Sequence, residues 1–346
     1  MSIQTKVILI TGFLGSGKTT FLNKIIDSVP ETLKLTVLMN EFGEIGIDGA
    51  LIKGEDIDML QISRGSIFCV CVKTDFIKGL YELNSTIKPD ILVIESTGVA
   101  NPTDLKRDLR LPIFENRFDF TEQFCVIDAP HFLEAFEVFA SVEKQLETSS
   151  IFIINKVDMV DGEKVTEIQD LVRDYHPAPV FFETSYCAIS LDSFPYFMVE
   201  GNSDNSDAHQ PAFRPLSAEE LDEFVTKAVK DPELEASPPD QLASITYEWH
   251  GSNVEDITEK ATILPEEIVR AKGFITQDNV IYLFSYVMGD WTVEEVAPRI
   301  ADEIEHMNHI VFIGSFSALE SIRKILEEPD WSAQEILQPF VQIMQV

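Results

Sequence analysis

Short unbroken apolar runs alternate with amphipathic stretches through the first half of the chain. Residues 7–10, 35–39, 91–94, 124–127 and 151–154 are apolar and rich in β-branched side chains, and 180–182 is a shorter run of the same kind. Runs without polar alternation predict strands covered on both faces. Between them apolar positions recur at helical spacing over 19–29, 75–87, 131–139 and 162–175. Alternating strand and helix patterns predict an α/β domain, a doubly wound and mostly parallel sheet of the P-loop NTPase type.

The texture changes near Met198. Residues 200–209 are polar and read as an exposed loop. Ser217-Ala218-Glu219-Glu220 forms a capping box ahead of Leu221, Phe224, Val225 and Val229, which predicts a helix. Residues 231–240 carry three prolines and read as a connector. Strand patterns follow at 243–250, 267–276, 279–287 and 309–314, with helices near 253–263 and 317–326, a second and smaller α+β domain. The tail from Trp331 to Val346 mixes apolar and polar positions and is expected to dock on the body; a partner-binding helix is the second reading. The expected division is 1–198, a linker with one helix at 199–241, the second domain at 242–328 and the tail at 329–346. No internal repeat is visible.

Composition narrows the partners. The 346 residues include 26 basic and 59 acidic side chains, a formal charge of −33 that repels nucleic acid and anionic membranes. The four cysteines, Cys69, Cys71, Cys125 and Cys187, are too few for a disulfide scaffold. No apolar run approaches the ~18 residues of a membrane span, and the first run belongs to a strand rather than a signal peptide. The expectation is a cytoplasmic protein whose thiols are available for metal.

The chemistry begins at Gly12-Phe13-Leu14-Gly15-Ser16-Gly17-Lys18-Thr19-Thr20, between a strand and a helix. It fits GxxxxGK[ST], in which glycines turn backbone N–H groups toward phosphate and the helix adds its positive end. Lys18 is expected on the β- and γ-phosphates and the Thr19 hydroxyl on Mg²⁺. Asn155-Lys156-Val157-Asp158 follows another apolar run. A carboxylate there can accept from the N1–H and exocyclic amine of guanine, a donor pair adenine lacks, which selects GTP over ATP. Asn155 would support the loop and Lys156 the flat face of the base. Glu95-Ser96-Thr97-Gly98 ends a further strand: the acid can hold Mg²⁺ through water, and the Gly98 N–H can sense the γ-phosphate. Glu183-Thr184-Ser185 is a weaker candidate for the guanine edge.

A second unusual stretch is Gly65-Ser66-Ile67-Phe68-Cys69-Val70-Cys71. On an extended chain both thiols fall on one side and could share a borderline cation such as Zn²⁺; two buried strand thiols is the alternative. Two thiolates leave a tetrahedral site incomplete. Glu41, Glu44 and Asp48, in Asn40-Glu41-Phe42-Gly43-Glu44-Ile45-Gly46-Ile47-Asp48, are candidate oxygen ligands, with Glu41 foremost. His306 and His309 form an HxxH pair that reads as surface and core, and His209 is isolated.

In order, GFLGSGKTT, MNEFGEIGID, the cysteine loop, IESTGVANP and INKVD resemble the CobW family of metallochaperone GTPases. Residues 269–274 and 309–314 resemble that family's C-terminal domain. The resemblance implies a slow GTPase that couples nucleotide state to binding a divalent metal, zinc or cobalt foremost, and delivering it to a client metalloprotein. It also implies phosphate contacts from Gly12, Gly15, Ser16, Gly17, Lys18, Thr19 and Thr20, Mg²⁺ at Thr19 and Glu95, and base contacts from Asn155, Lys156 and Asp158. Cargo would sit at Cys69, Cys71 and Glu41. The family's CxCC motif is here only Cys69-Val70-Cys71. That departure keeps open a GTP-dependent chaperone of a corrinoid or other metalloenzyme that carries no free metal, and a non-hydrolysing nucleotide-gated module. A homo-oligomer is left open.

Overall fold

The computed structural model describes residues 4–41, 58–63, 70–98, 100–197, 216–231, 242–250, 253–265, 267–296, 304, 307–315, 317, 318, 321, 322, 325 and 331–339; the side chains of 40, 41, 58–63, 70–72, 75 and 331–339 lie outside that description. The chain forms two compact units.

The first unit is built on a seven-stranded sheet. Its strands are β1 (Thr5–Thr11), β2 (Leu35–Glu41), β3 (Asp58–Ser63), β4 (Ile91–Glu95), β5 (Phe118–Asp128), β6 (Ile151–Asn155) and β7 (Val180–Glu183), in the order β3-β2-β4-β1-β5-β6-β7. The pairs from β2 to β7 are all parallel. All five residues of β4 and of β6 are buried, as unbroken apolar runs require under helices on both faces. β7, at the edge, is only partly covered.

Helices α1 (Lys18–Ser28), α2 (Val70–Glu82), α3 (Pro102–Asp108), α4 (Phe132–Val138), α5 (Ala140–Thr148), α6 (Gly162–Tyr175) and α7 (Ala218–Val229) complete this unit. One core layer joins Val7, Leu9, Leu38, Leu92 and Ile94 of the sheet to Phe76, Ile77 and Leu80 of α2, Leu105 of α3, and Val225 and Ala228 of α7. Each of these side chains larger than alanine, fully buried, contributes roughly 1.5–3 kcal/mol.

Several expectations change here. α2 begins at Val70 rather than near residue 75 and gives way after Glu82 to a π turn over Leu83–Ile87. Cys71 is therefore in the first turn of a helix, not on an extended chain, so the alternation that put both thiols on one side does not apply to it. Cys69 lies outside the described residues. The capping-box helix expected in the linker is α7, with Ser217 and Glu220 bonded reciprocally. It packs on α2, where the Tyr81 hydroxyl accepts from the Leu216 N–H at 2.5 Å. β3, α3 and α5 are additional to the expected elements.

The second unit holds β8 (Ala243–Trp249), α8 (Val254–Ala261), β9 (Ile268–Gln277), β10 (Val280–Val287), β11 (Asp290–Glu295), β12 (His309–Gly314) and β13 (Trp331–Pro339). The six strands run β11-β10-β9-β12-β8-β13, every neighbour antiparallel. Burial alternates strictly along β8, and its inward residues Ala243, Ile245, Tyr247 and Trp249 pack with Ile257 and Ala261 of α8. The tail docks as a strand, β13 pairing with β8, rather than as a helix.

Candidate nucleotide site

The sheet explains why the motifs converge. β1 is central, with β4 on one side and β5 then β6 on the other. The chain reverses direction of build across β1, so the carboxyl ends of these strands open a crevice where ligands bind in such sheets. The glycine loop leaves β1, Glu95 ends β4, Asp128 ends β5 and Asn155 ends β6.

The loop needs its glycines for space as well as for torsion. Gly12, Gly15 and Gly17 have φ of 139°, 76° and 106°. At Gly12 a Cβ would lie 2.2 Å from the Val126 carbonyl oxygen. α1 starts on Gly17, so its first N–H groups face the loop. Lys18 is buried and its ammonium donates to the Phe13 carbonyl at 3.0 Å. The Ser16 hydroxyl is buried with no hydrogen-bond partner among the described residues. A buried ammonium beside an orphaned hydroxyl, in a loop too tight for a Cβ, fits a phosphate cradle.

The structure brings Thr19 and Glu95 together, the hydroxyl donating to Glu95 Oε1 at 2.9 Å. Two hard oxygens at a loop that fits phosphate suit Mg²⁺, which keeps several waters and takes few protein ligands. Beyond Glu95, Ser96 is tied to β1 through its N–H and hydroxyl, both on the Ile10 carbonyl. Gly98 presses on the glycine loop: a Cβ there would meet the Leu14 nitrogen at 2.5 Å. Its carbonyl accepts from the Gln145 amide of α5 at 2.9 Å. The Thr97 hydroxyl is buried and has no partner among the described residues.

On the other side, Asn155 locks two loops together. Its amide donates to the Ser16 carbonyl at 2.8 Å, and its Oδ1 accepts from the Cys187 N–H at 3.0 Å. Asp158 accepts from the Ser185 hydroxyl. Lys156 sits in the left-handed region at φ 61°, and its ammonium lies 3.0 Å from Asp128 Oδ1. Tyr186 and Cys187 also have positive φ, 54° and 51°. This turn carries the Cys187 N–H to Asn155, and strained backbone of this kind gathers at ligand clamps.

Sequence reasoning missed Asp128, Gln145 and Cys187. Asp128 had a usable signal, an acid directly after an apolar strand, the position that singled out Glu95. Gln145 and Cys187 had none.

Cys69, Glu44 and Asp48 lie outside the described residues, as do the side chains of Cys71 and Glu41. His209 and His306 also lie outside. His309 has its Nδ1 2.8 Å from the Met307 carbonyl. Burial pushes the Cys125 and Cys187 thiols up to about 12, which keeps both protonated. Among the described residues no group of three or more His, Cys, Asp or Glu could hold a metal ion. No helix among them is long and apolar enough to cross a membrane.

A parallel sheet that delivers a tight glycine loop, an acid and an amide–carboxylate pair to one edge defines a P-loop nucleotide-binding protein. Sequence comparison gives the family: the CobW/HypB/UreG nucleotide-binding domain matches residues 6–182, and the cobalamin synthesis protein cobW C-terminal domain matches residues 244–328. The chain belongs to the CobW family. It is 37% identical over 169 residues to the zinc chaperone YeiR of Escherichia coli, covering 48% of this chain and 51% of YeiR. It is 24% identical over 308 residues to the zinc-regulated GTPase metalloprotein activator 1 of Dictyostelium discoideum, covering 78% and 62% of the two chains. With the zinc chaperone CobW of Pseudomonas aeruginosa the identity is 29% over 208 residues, 50% and 54% of the two chains. The chain thus spans about half to three-fifths of the length of the curated relatives it matches.

Proposed function

We propose that this chain binds and slowly hydrolyses GTP and couples nucleotide state to holding a divalent metal ion, zinc foremost, for a client metalloprotein. The observation that carries the reading is Asn155, whose one side chain ties the glycine loop at Ser16 to the loop around Ser185 and Cys187. That bond makes phosphate binding and base selection parts of one site. Asp158 would read guanine, with Ser185 fixing the carboxylate. Lys18, swinging from the Phe13 carbonyl, would neutralise the β- and γ-phosphates. Thr19 and Glu95 would hold Mg²⁺, which when bound screens the charge developing between those phosphates. Gly98, drawn by the γ-phosphate, would report nucleotide state.

The metal would be cargo, held at Cys69 and Cys71 with Glu41. Support comes from family membership and from relatives named as zinc chaperones. Proximity supports it too: α2, which begins at Cys71's turn, is held to α3 by the buried Lys73–Asp108 pair at 3.2 Å. α3 starts just after Gly98. A cytoplasmic setting and a client partner belong to the same proposal.

The test is calorimetric titration of GTP, GDP and ATP, GTP turnover with and without Zn²⁺ or Co²⁺, and metal analysis, on the wild type and on Cys69→Ser/Cys71→Ser. The expected result is preference for guanine, slow turnover, and metal binding lost in the double variant while GTPase persists. Wild type that binds GTP but no stoichiometric metal would overturn the cargo step in favour of a GTP-dependent chaperone. Tight GTP binding without turnover under every metal would overturn hydrolysis.

A further inference from the structure

Asp128 is almost fully buried at the carboxyl end of β5, yet phosphate, Mg²⁺ and base recognition leave it without a role. Its two oxygens are both engaged by groups that can carry positive charge. Oδ1 lies 3.0 Å from the Lys156 ammonium and Oδ2 lies 3.1 Å from His131 Nδ1. The register explains the meeting. Asp128 pairs with Asn155 across β5 and β6, and the Ala129 N–H donates to the Asn155 carbonyl at 3.1 Å. Lys156 is the next residue, and its left-handed backbone turns the chain out of the strand at that point. His131 is clamped from the other side: its N–H donates to the Asp128 carbonyl at 3.1 Å, where α4 begins.

We propose that Asp128, held by His131, is the positioning residue that fixes the Lys156 side chain along the face of the guanine base. The inference rests on the GTP-binding reading above. The gain is in degrees of freedom. A lysine carries four rotatable bonds, and ordering it costs up to about 2 kcal/mol unless something else has already fixed it. Here the ammonium is tied at its far end to a carboxylate that cannot move. Asp128 is pinned by the strand behind it and by the imidazole beside it. The methylene stem is therefore set before the nucleotide arrives, and only its apolar flank needs to meet the base. Lys156 keeps about a quarter of its side chain exposed, at 28%, while Asp128 keeps 1%. The pair thus has a fixed buried end and an accessible end.

The role differs from that of Asp158 and of Lys18. Asp128 touches no nucleotide atom. It acts on affinity for the base half of the ligand, so GTP and GDP should be affected alike, and the chemical step should be unaffected. A merely structural buried acid would show no energetic coupling to Lys156.

The experiment is a double-mutant cycle on the full chain with Asp128→Asn and Lys156→Met, read by calorimetric titration of GDP and of GTP. Asp128→Asn should weaken both nucleotides about tenfold, as the loss of one charge-assisted contact. Lys156→Met should do about the same. The double variant should be no more than about twofold worse than either single variant, and in Asp128→Asn alone the loss should fall on KM for GTP with kcat within about twofold. Should Asp128→Asn not fold, His131→Asn serves the same cycle: an effect of a few-fold that vanishes in the Lys156→Met background supports the proposal. Multiplicative losses in either cycle, near a hundredfold for the first, overturn it. So does a loss confined to GTP. If the wild type binds no guanine nucleotide, the GTP-binding reading fails and this inference fails with it; if the wild type binds GDP and the cycle is additive, only the inference fails.

Discussion

Asp108 and Lys73 are among the most deeply placed charges in the first unit, with side chains 0% and 5% exposed and 3.2 Å apart. Two opposed effects act on the Asp108 carboxyl. Desolvation raises its pKa, and the Lys73 and Arg107 cations lower it, with Asp104 adding a smaller upward push. Desolvation is the larger, so the pKa moves up from 3.8 to about 6. The folded state therefore holds the proton between those values where the unfolded chain has released it. By linkage the stability contributed by this group is present below about pH 4, is lost as the pH rises toward 6, and stays lost above that. The interval corresponds to about 3 kcal/mol.

Asp108→Asn isolates the effect, since asparagine mimics the protonated acid. Urea unfolding of wild type and variant should be compared from pH 4 to 7.5. The difference in unfolding free energy should shift by about 3 kcal/mol across that range, the variant gaining on the wild type as pH rises. The probe matters. The three tryptophans, Trp249, Trp291 and Trp331, all belong to the second half of the chain. Far-UV circular dichroism should therefore be the probe, since it follows the helices of the first unit. A difference that shifts the other way, the variant losing ground as pH rises, would mean the Lys73 attraction outweighs burial and would refute the reasoning.

Three further outcomes follow from the site. Gly12→Ala places a Cβ 2.2 Å from the Val126 carbonyl at a φ of 139°, so it should cost a few kcal/mol and abolish GTP binding in a titration. Asn155→Ala strands the buried Ser16 carbonyl and Cys187 N–H, each worth about 1–3 kcal/mol, so GDP affinity should fall at least about thirtyfold in the same assay. Thr19→Val removes one oxygen of the Thr19–Glu95 pair; the Mg²⁺-dependent part of GTP affinity should shrink while binding in EDTA stays as in wild type.

What could be read from the chain was what local pattern carries. β1, β4 and β6 are apolar runs, and the residues that follow them are the candidate site residues, because a parallel sheet brings its carboxyl ends to a common edge. Gly12–Thr20, Glu95 and Asn155–Asp158 were legible for that reason. Other parts had no local signature. The polar edge strand β11 exists because β10 supplies its hydrogen-bond partner. α7 looks like a linker helix until Val225 and Ala228 are seen against α2. The period-two reading of Cys69 and Cys71 failed at Cys71 because two residues cannot distinguish a strand from a first helical turn.

The sequence by itself determined the family and its candidate nucleotide motifs, since the glycine loop and Asn155–Asp158 are both short contiguous strings. Only the tertiary structure decided which of their residues meet. The Asn155 bond to Ser16 spans 139 residues, the Thr19 bond to Glu95 spans 76, and Gln145 reaches Gly98 across 47. Contacts of that range follow from strand order and register. They appear only when β4, β1, β5 and β6 lie side by side.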